Sequence, residues 1–329
     1  MATGYFRGRV LCAAARLGIA DVMDTGERTV AELAAASQSD SSSLYRLLRA
    51  LGTFGIVRET APATFALTPL GLPLRKNAPD SAWASIVFWA DLLADNWSFL
   101  ADCIRTGERS FEIMKERGIT SRFLTDPEAG NIFRAVMGTG PAQSFMPFAR
   151  AFDFSSHRVV ADLGGGGGAL IAAILEAHPR VRGMLVDREE SVKAASVRLT
   201  TDGLASRCEC IAADLKESVP VGADVNMMQH VLHGYNDVEA AGILRNVRKV
   251  IPSDGCLLVI EFVLPDLFNE VDKELEYRVM SDLNMLAATG GKERSASEWR
   301  ALLPQGGFEV QRIIPVTDGS AAIVEGVPV

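Results

Sequence analysis

The chain has 329 residues, 48% of them hydrophobic and 22% charged, which is typical of a globular protein long enough to form two cores. Its net charge of −8 argues against a general surface for nucleic acids or anionic membranes. Five scattered cysteines, four histidines without a CxxC pair, and no signal-peptide or bilayer-length apolar stretch predict a cytoplasmic protein without a metal site.

The first 80 residues alternate short helical patterns with turn signals. Residues 5–23 carry apolar side chains at helical spacing, and Thr29 with Glu32 forms a capping box that starts a second helix. A third, leucine-rich helix precedes a hairpin around Ala61-Pro62. Three helices followed by a hairpin make a winged-helix pattern.

A winged helix either reads DNA or joins two chains. The third helix offers only Arg46 and Arg49 as basic residues, in an acidic chain, whereas a DNA-reading helix needs several. The first helix is rich in apolar side chains that suit association. Residues 1–80 are therefore predicted to be a dimerisation domain that binds no nucleic acid.

Residues 81–150 read as further helices with many aromatic side chains. Most aromatic residues at helical spacing are buried in a core, but a few can line an apolar pocket for a flat substrate. Phe133 and Met137 are the candidates for such a pocket. This segment is predicted to be a helical linker that contributes to substrate binding.

Residues 151–329 alternate strands and helices, which predicts a mostly parallel sheet covered on both faces. The last two strands, joined by a turn around Asp318-Gly319, are predicted to be an antiparallel edge pair. The predicted strands are Val159–Asp162, Gly183–Asp187, Cys208–Ala212, Val225–Gln229, Cys256–Glu261, Phe308–Ile314 and Ala321–Glu325. The fold class is therefore α/β, a Rossmann-like domain with a seven-stranded sheet, preceded by the helical dimerisation domain.

The first of these strands leads into the stretch VVADLGGGGGALIAAILEAHP, a strand, a glycine turn and a helix. Glycines such as Gly164 and Gly166 allow a sharp turn and a close approach of a ligand, and the helix start offers free N–H groups. Asp162, at the end of the strand, is predicted to organise the loop by accepting backbone hydrogen bonds. The stretch predicts a nucleotide-type site.

Polar residues follow the other strands, at the edge where such sheets bind ligands. Asp187 comes about 20 residues after the glycines, as expected of a ribose-binding carboxylate. Asp214 beside Leu215 suits an adenine, His230 and His233 follow the fourth strand, and Glu261 ends the fifth. GxGxxA spacing also suits a dinucleotide, but no Tyr-xxx-Lys pair for hydride transfer is present, which favours S-adenosylmethionine.

Three further stretches carry a resemblance: MMQHVLHGYNDVEAAGILRNVRKVIPSDGCLLVIEFVLPD, DLNMLAATGGKERSASEW and the C-terminal hairpin. With the glycine stretch they resemble the S-adenosylmethionine-dependent O-methyltransferases of secondary metabolism, over nearly the whole chain. The resemblance implies a homodimer that methylates a hydroxyl of a small aromatic or polyketide-derived metabolite.

The same resemblance assigns roles to residues. It makes His233 the general base and Glu261 and Glu293 the two acids that orient it. Asn284 and Met285 join the substrate-pocket candidates. The cofactor contacts implied are Gly164, Gly166, Asp187, Asp214 and Leu215, with Asp162 organising their loop and Gln229 at a position where the family often has a cofactor-holding lysine.

Two positions depart from the family pattern. Gly234 stands where an aspartate usually follows the base, and Gln229 replaces the lysine. They keep open a methyltransferase-fold enzyme that uses the cofactor for hydroxylation, decarboxylation or rearrangement. A ligand-sensing winged-helix regulator is the other alternative.

A methyl on a sulfonium is already activated, so the protein has to align the reactants and remove a proton. A phenol has a pKa near ~10, and a histidine base is worth roughly 10²–10⁴ in rate. The structural alternative for His233 is a helix cap, but Asn236 and Glu239 already supply one. His230 is interpreted as structural.

Overall fold

The computed structural model describes residues 3–138, 142–269, 272–316 and 321–329, and the turn predicted around Asp318-Gly319 lies outside them. The chain forms two compact units. The first contains Met1–Ser98 and Gly118–Val136, and the second contains Phe99–Arg117 and Met137–Val329. No helix within the described ranges is both long and apolar enough to cross a membrane.

The elements are numbered here in chain order. Up to residue 151 they are α1 (Gly4–Arg16), α2 (Ile19–Met23), β1 (Glu27–Thr29), α3 (Val30–Ser37), α4 (Ser41–Thr53), β2 (Val57–Ala61), β3 (Thr64–Leu67), α5 (Trp83–Val87), α6 (Ala94–Ser98), α7 (Leu100–Thr106), α8 (Ser110–Glu116), α9 (Arg122–Thr125), α10 (Ala129–Gly138) and α11 (Met146–Ala151).

The first unit begins with the predicted helices and hairpin. Thr29 caps α3 and forms both halves of the capping box with Glu32, as the sequence predicts. The hairpin strands β2 and β3 are antiparallel, and β3 also pairs with the short strand β1. Strand β1 has only three residues, too few for an alternating pattern to identify.

The second unit continues with β4 (Val159–Leu163), α12 (Ala169–Ala177), β5 (Arg182–Asp187), α13 (Glu189–Thr201), β6 (Cys208–Ala212), β7 (Val225–Gln229), α14 (Asp237–Arg248), β8 (Cys256–Glu261), β9 (Val263–Leu264), α15 (Lys273–Ala288), β10 (Arg294–Ser295), α16 (Ala296–Leu302), β11 (Phe308–Pro315) and β12 (Ala322–Pro328).

Seven strands of this unit form one sheet in the order β11-β12-β8-β7-β4-β5-β6. Strands β4 to β8 run parallel, and β12 is antiparallel to both β8 and β11. Separate apolar cores cover the two faces of the sheet. The predicted fold class, a seven-stranded mostly parallel sheet with an antiparallel edge, is confirmed.

The parallel strands align the predicted site residues at one edge. Asp162 pairs with Leu185 on one side and with Met227 on the other, and Gln229 pairs with Ile260. Because these strands run in the same direction, the segments that follow them leave the sheet side by side.

A second, two-stranded sheet connects the end of β8 with a distant segment. Arg294 of β10 pairs with Val263 of β9 in parallel. Since Val263 lies two residues after Glu261 and Arg294 directly follows Glu293, this small sheet brings the two predicted acids to the same place.

Candidate active site

The glycine stretch turns in a way that side chains would prevent. Gly164 has φ +78°, and a Cβ there would lie 2.6 Å from Cγ2 of Val231. Gly166 has φ +53°, and its N–H donates to Oδ2 of Asp187 at 2.8 Å. The loop therefore presents backbone to its surroundings, held in place by the carboxylate that ends the next strand, β5.

Asp162 lies beneath this loop and is almost completely buried. A Cβ on Gly165 would be 2.7 Å from its Oδ2, and Oδ2 has no hydrogen-bond partner among the described residues. Burial, and then the nearby charge of Asp187, raise the pKa of Asp162 to about 7. The sequence predicts a carboxylate that accepts backbone hydrogen bonds, and one of its oxygens is left as a buried acceptor.

The remaining cofactor candidates lie along the same edge. The backbone carbonyl of Asp187 accepts from the N–H of Ala213, which links the ends of β5 and β6 and brings Asp214 next to them. Oδ1 of Asp214 accepts from the N–H of Lys216 at 2.9 Å, so it shapes its own turn. Leu215 is buried, and Gln229 ends β7 half-exposed.

These residues fit S-adenosylmethionine. The bare loop leaves room for a close approach, since a Cβ on Gly166 would meet nothing within 4 Å. Asp187 has the chemistry to bind ribose hydroxyls, and Leu215 offers an apolar contact. The buried acceptor Oδ2 of Asp162 lacks a partner that a cationic ligand nearby would supply.

His233 lies in a short 3₁₀ turn, Leu232–Gly234, between β7 and α14. Its Nδ1 is 2.8 Å from Oε1 of Glu293, and Glu293 is buried. A carboxylate only accepts hydrogen bonds, so Nδ1 carries a hydrogen and the neutral ring has its lone pair on Nε2. Nε2 makes no hydrogen bond with the described residues, so it is available to a substrate.

Glu261 is fully buried and has a broader role than the sequence predicts. Its Oε1 accepts from the backbone N–H groups of Val231 and His233 at 3.0 and 3.2 Å. Its Oε2 is 3.2 Å from Nδ1 of His230 and 3.6 Å from Nδ1 of His233. Glu261 thus shapes the turn and binds His230, while Glu293 makes the shorter contact with His233.

The electrostatics of the site favour a proton on His233. Burial alone would lower its pKa, but the charge of Glu261 and the hydrogen bond and charge of Glu293 outweigh burial and raise the pKa to about 9. Burial in turn raises the pKa of Glu261, but His233 and His230 hold it below its usual range. An imidazolium at His233 would be stabilised by the buried side chains of Glu261 and Glu293 beside it.

The segment from Gly290 to Arg294 holds the turn from outside. A Cβ on Gly291 would lie 2.0 Å from the carbonyl oxygen of His233. Arg294 is fully buried, and its guanidinium donates to the carbonyls of Leu232 and Tyr235. Both residues lie in the GGKER motif, in which the family resemblance predicts a role only for Glu293.

Two more contacts position Glu293. The hydroxyl of Ser281, on α15, donates to Oε1 of Glu293 at 2.8 Å. The backbone N–H of Glu293 donates to Oδ1 of Asp282 at 2.9 Å. Its other oxygen, Oε2, is buried without a hydrogen-bond partner among the described residues. No sequence pattern distinguishes Ser281, because it is one of several polar residues on an amphipathic helix.

The predicted pocket residues fall in both units. Phe133, in the first unit, is 42% exposed and contacts the rings of Phe88 and Phe123. Met137 belongs to the second unit and is exposed. Asn284 is buried one turn along α15 from Ser281, and Met285 beside it is half-buried.

Gly234, the departure next to His233, is not imposed by packing. A Cβ there would meet nothing within 4 Å, and its φ is not positive. Glycine at this position therefore leaves open space beside His233.

The two histidines and Glu261 also bring three possible metal-ligand atoms within 4.8 Å of one another. In the arrangement described above, each Nδ1 already faces a carboxylate, so a cation would replace these hydrogen bonds. The absence of a metal site stays a prediction from the sequence.

Both parts of the chain are similar to known protein families. Residues 97–309 match the O-methyltransferase domain family, and residues 1–74 match the O-methyltransferase dimerisation domain family. The chain is 35% identical to the phenazine O-methyltransferase of Lysobacter antibioticus, covering 100% of this chain and 95% of that protein. It is 36% identical to the O-demethylpuromycin-O-methyltransferase of Streptomyces alboniger, covering 99% and 87%.

The chain also resembles a solved structure with both ligands bound. An O-methyltransferase from neocarzinostatin biosynthesis, in complex with S-adenosylmethionine and 2-hydroxy-5-methyl naphthoic acid, has a TM-score of 0.80 and 29% identity, covering 98% of this chain and 96% of that one.

Proposed function

The chain belongs to the S-adenosylmethionine-dependent O-methyltransferases of secondary metabolism, and from this premise we propose that His233 is the base that removes the proton from the acceptor hydroxyl. The observation that carries the proposal is the 2.8 Å contact between Nδ1 of His233 and Oε1 of Glu293. It orients the ring and leaves Nε2 free to take a proton.

S-adenosylmethionine supplies an activated methyl group. The glycine loop and Asp187 bind the cofactor, and Asp162 lies beneath the loop as a buried acceptor. Asp214 and Leu215 complete the site beside Asp187, at the end of the neighbouring strand. The chain's own contribution is then to hold the acceptor hydroxyl in line and to receive its proton.

The raised pKa of His233 suits this step. A base with a pKa of about 9 takes the proton of a phenol, pKa about 10, at a cost of only about 1.4 kcal/mol in free energy. In the free protein, however, the imidazole is mostly protonated at neutral pH. We therefore expect kcat/KM to rise with pH and to level off above about pH 9.

The test uses S-adenosylmethionine labelled in the methyl group and a panel of phenols and hydroxynaphthoic acids. The wild-type chain should transfer label to a hydroxyl. His233→Gln should lower turnover by roughly 10²–10⁴ and leave the affinity for S-adenosylhomocysteine unchanged. Near-normal turnover of this variant would overturn the assignment of the base, and unlabelled product would favour non-methylating chemistry.

We propose a flat aromatic or polyketide-derived substrate. Support comes from the aromatic ligand of the solved relative and from Asn284 and Met285, which lie on α15 one turn beyond the contact with Glu293. Phe133 and Met137 stay candidates for the same role. Substitution of Met285 by Ala should raise KM more than it lowers kcat if the residue binds the aromatic ring.

We also propose that the chain works as a homodimer through its matched dimerisation domain. Tyr5 and Phe6 on α1 are 68% and 51% exposed, and they stack edge to face with ring centroids 4.6 Å apart. Large exposed aromatic side chains favour association. Sedimentation should give a dimer for the wild type and more monomer for Tyr5→Glu/Phe6→Glu, whereas a wild-type monomer would overturn the proposal.

A further inference from the structure

His230 is the residue whose environment a structural role does not explain. It directly follows β7 and has φ +50°, a left-handed conformation that costs a side chain of this kind about 1–3 kcal/mol. Its backbone N–H still donates to the carbonyl of Ile260 at 3.0 Å. Strain of this kind persists only where the surrounding contacts fix the residue in place.

Contacts fix the ring of His230 on three sides. Nδ1 is 3.2 Å from Oε2 of Glu261, the ring of Phe262 lies 4.9 Å away, and the ring of His233 lies 5.2 Å away at an angle of 35°. The side chain is nevertheless 34% exposed. It is held firmly and remains accessible.

The two histidines share the carboxylate of Glu261. Both Nδ1 atoms converge on Oε2 of Glu261, at 3.2 and 3.6 Å, so both Nε2 atoms lie on the far side of their rings from that carboxylate. As with His233, no described residue forms a hydrogen bond with Nε2 of His230. Two imidazole nitrogens on neighbouring rings are therefore without a hydrogen bond from the described residues.

Other roles of His230 are already filled. Asn236 caps α14, and the backbone N–H groups of Val231 and His233 already hold Oε1 of Glu261. Neither helix capping nor this anchoring of Glu261 uses Nε2 of His230.

We propose that His230 is a specificity-determining residue whose Nε2 binds a second oxygen or nitrogen substituent of the substrate, next to the acceptor hydroxyl. The preferred substrates are then aromatic rings with two adjacent polar substituents, in ortho or peri positions. This inference rests on the proposed function, because His233 must bind the first of the two groups. Adjacent substituents are the pair that two neighbouring imidazole rings, with centres 5.2 Å apart, would bind together.

Two substitutions separate the role of Nε2 of His230 from that of Nδ1, which contacts Glu261. His230→Asn keeps an N–H donor near the position of Nδ1 and tolerates the left-handed backbone, but it lacks Nε2. His230→Gln keeps an amide near the position of Nε2.

The probes are 4-nitrophenol and 4-nitrocatechol, which differ by one ortho hydroxyl and report binding by their absorbance. Each is titrated into the chain saturated with S-adenosylhomocysteine. The wild type should bind 4-nitrocatechol about tenfold more tightly than 4-nitrophenol. His230→Asn should lose this preference with the affinity for 4-nitrophenol unchanged, and His230→Gln should keep part of it.

Equal affinities in the wild type would overturn the proposal, as would a His230→Asn variant that binds both probes more weakly by the same factor. The second outcome would mean that His230 acts only through Glu261. Both measurements concern binding, whereas the role of His233 as the base is tested by the turnover of His233→Gln. Failure of the proposed base and failure of this inference are therefore distinguishable. The same titrations in the presence of EDTA should give the same affinities, because no metal ion takes part in the proposed contact.

Discussion

The glycine loop and the histidine cluster lie at the same edge of one sheet but are built in opposite ways. The loop works through its backbone, and its side-chain anchor Asp187 is only 21 residues from Gly166. The cluster works through side chains, and its contacts join residues 28 to 60 positions apart. A local backbone site tolerates changes elsewhere, whereas the cluster depends on how three distant segments pack.

The largest effect is expected from Gly291→Ala, which tests this dependence on packing. The new Cβ would lie 2.0 Å from the carbonyl oxygen of His233 and 2.7 Å from the backbone nitrogen of Tyr235. Backbone has to move, and a displacement of about 1 Å at a reacting group costs roughly 10² in rate. We expect turnover to fall at least that far and the free energy of unfolding to fall by about 1–3 kcal/mol.

Gly234→Ala is the matched control, because its Cβ meets nothing within 4 Å and its φ is not positive. Its thermal midpoint should equal that of the wild type. If Gly291→Ala retained wild-type turnover in the same assay, the cluster would depend less on backbone packing than the contacts indicate.

Glu293→Gln changes the charge of the cluster and preserves its shape. Burial lowers the pKa of His233, while Glu261 and Glu293 raise it to about 9. Without the charge of Glu293, the pKa should fall by roughly 1–3 units, so the pH at which kcat/KM levels off should fall with it. We expect kcat at the plateau to fall about tenfold, because the imidazolium is less stabilised.

The control for this pH profile is Glu298→Gln, in the same segment but paired with Lys292 instead of His233. Its pH profile should follow that of the wild type. An unchanged pH profile in Glu293→Gln would mean that Glu261 alone sets the proton affinity of the base.

Asp187→Asn tests the loop in the same way. The amide oxygen can still accept from the N–H of Gly166 and hold the loop, whereas the N–H of Arg188 loses its acceptor and the ribose loses a charged partner. Affinity for S-adenosylhomocysteine, measured by calorimetry, should fall about tenfold with the fold intact. The exposed Asp202→Asn should have no effect, and equal affinity in both variants would contradict a role of Asp187 in binding the cofactor.

Sequence patterns predict the glycine loop better than the histidine cluster, because the loop is local and the cluster depends on how distant segments pack. The strand bounds Cys208–Ala212, Val225–Gln229 and Cys256–Glu261 are those of the structure. The last two are buried parallel strands, which are short apolar runs. The pairing of β9 with β10, by contrast, involves two residues on each side and leaves no periodic signal. Without that pairing, no pattern assigns Glu261 to His230 and Glu293 to His233.

His230 is a single residue whose environment a sequence pattern does not predict. A histidine after an apolar strand is more often structural than functional, so its sequence position alone predicts a structural role. Its left-handed backbone and its shared carboxylate are tertiary properties that appear only when β7 and β8 lie side by side.

The smallest effect is expected from Ser281→Ala, which measures how far the cluster extends beyond its charges. The hydroxyl donates to Oε1 of Glu293, the same oxygen that accepts from Nδ1 of His233. A hydrogen bond of this kind is worth about 1 kcal/mol, so kcat/KM should change by roughly two- to fivefold. Ser297→Ala, whose hydroxyl donates to Asp266 instead, should leave kcat/KM unchanged. Equal values for both variants would mean that Nδ1 of His233 is enough to hold Glu293, and that the cluster ends at its buried charges.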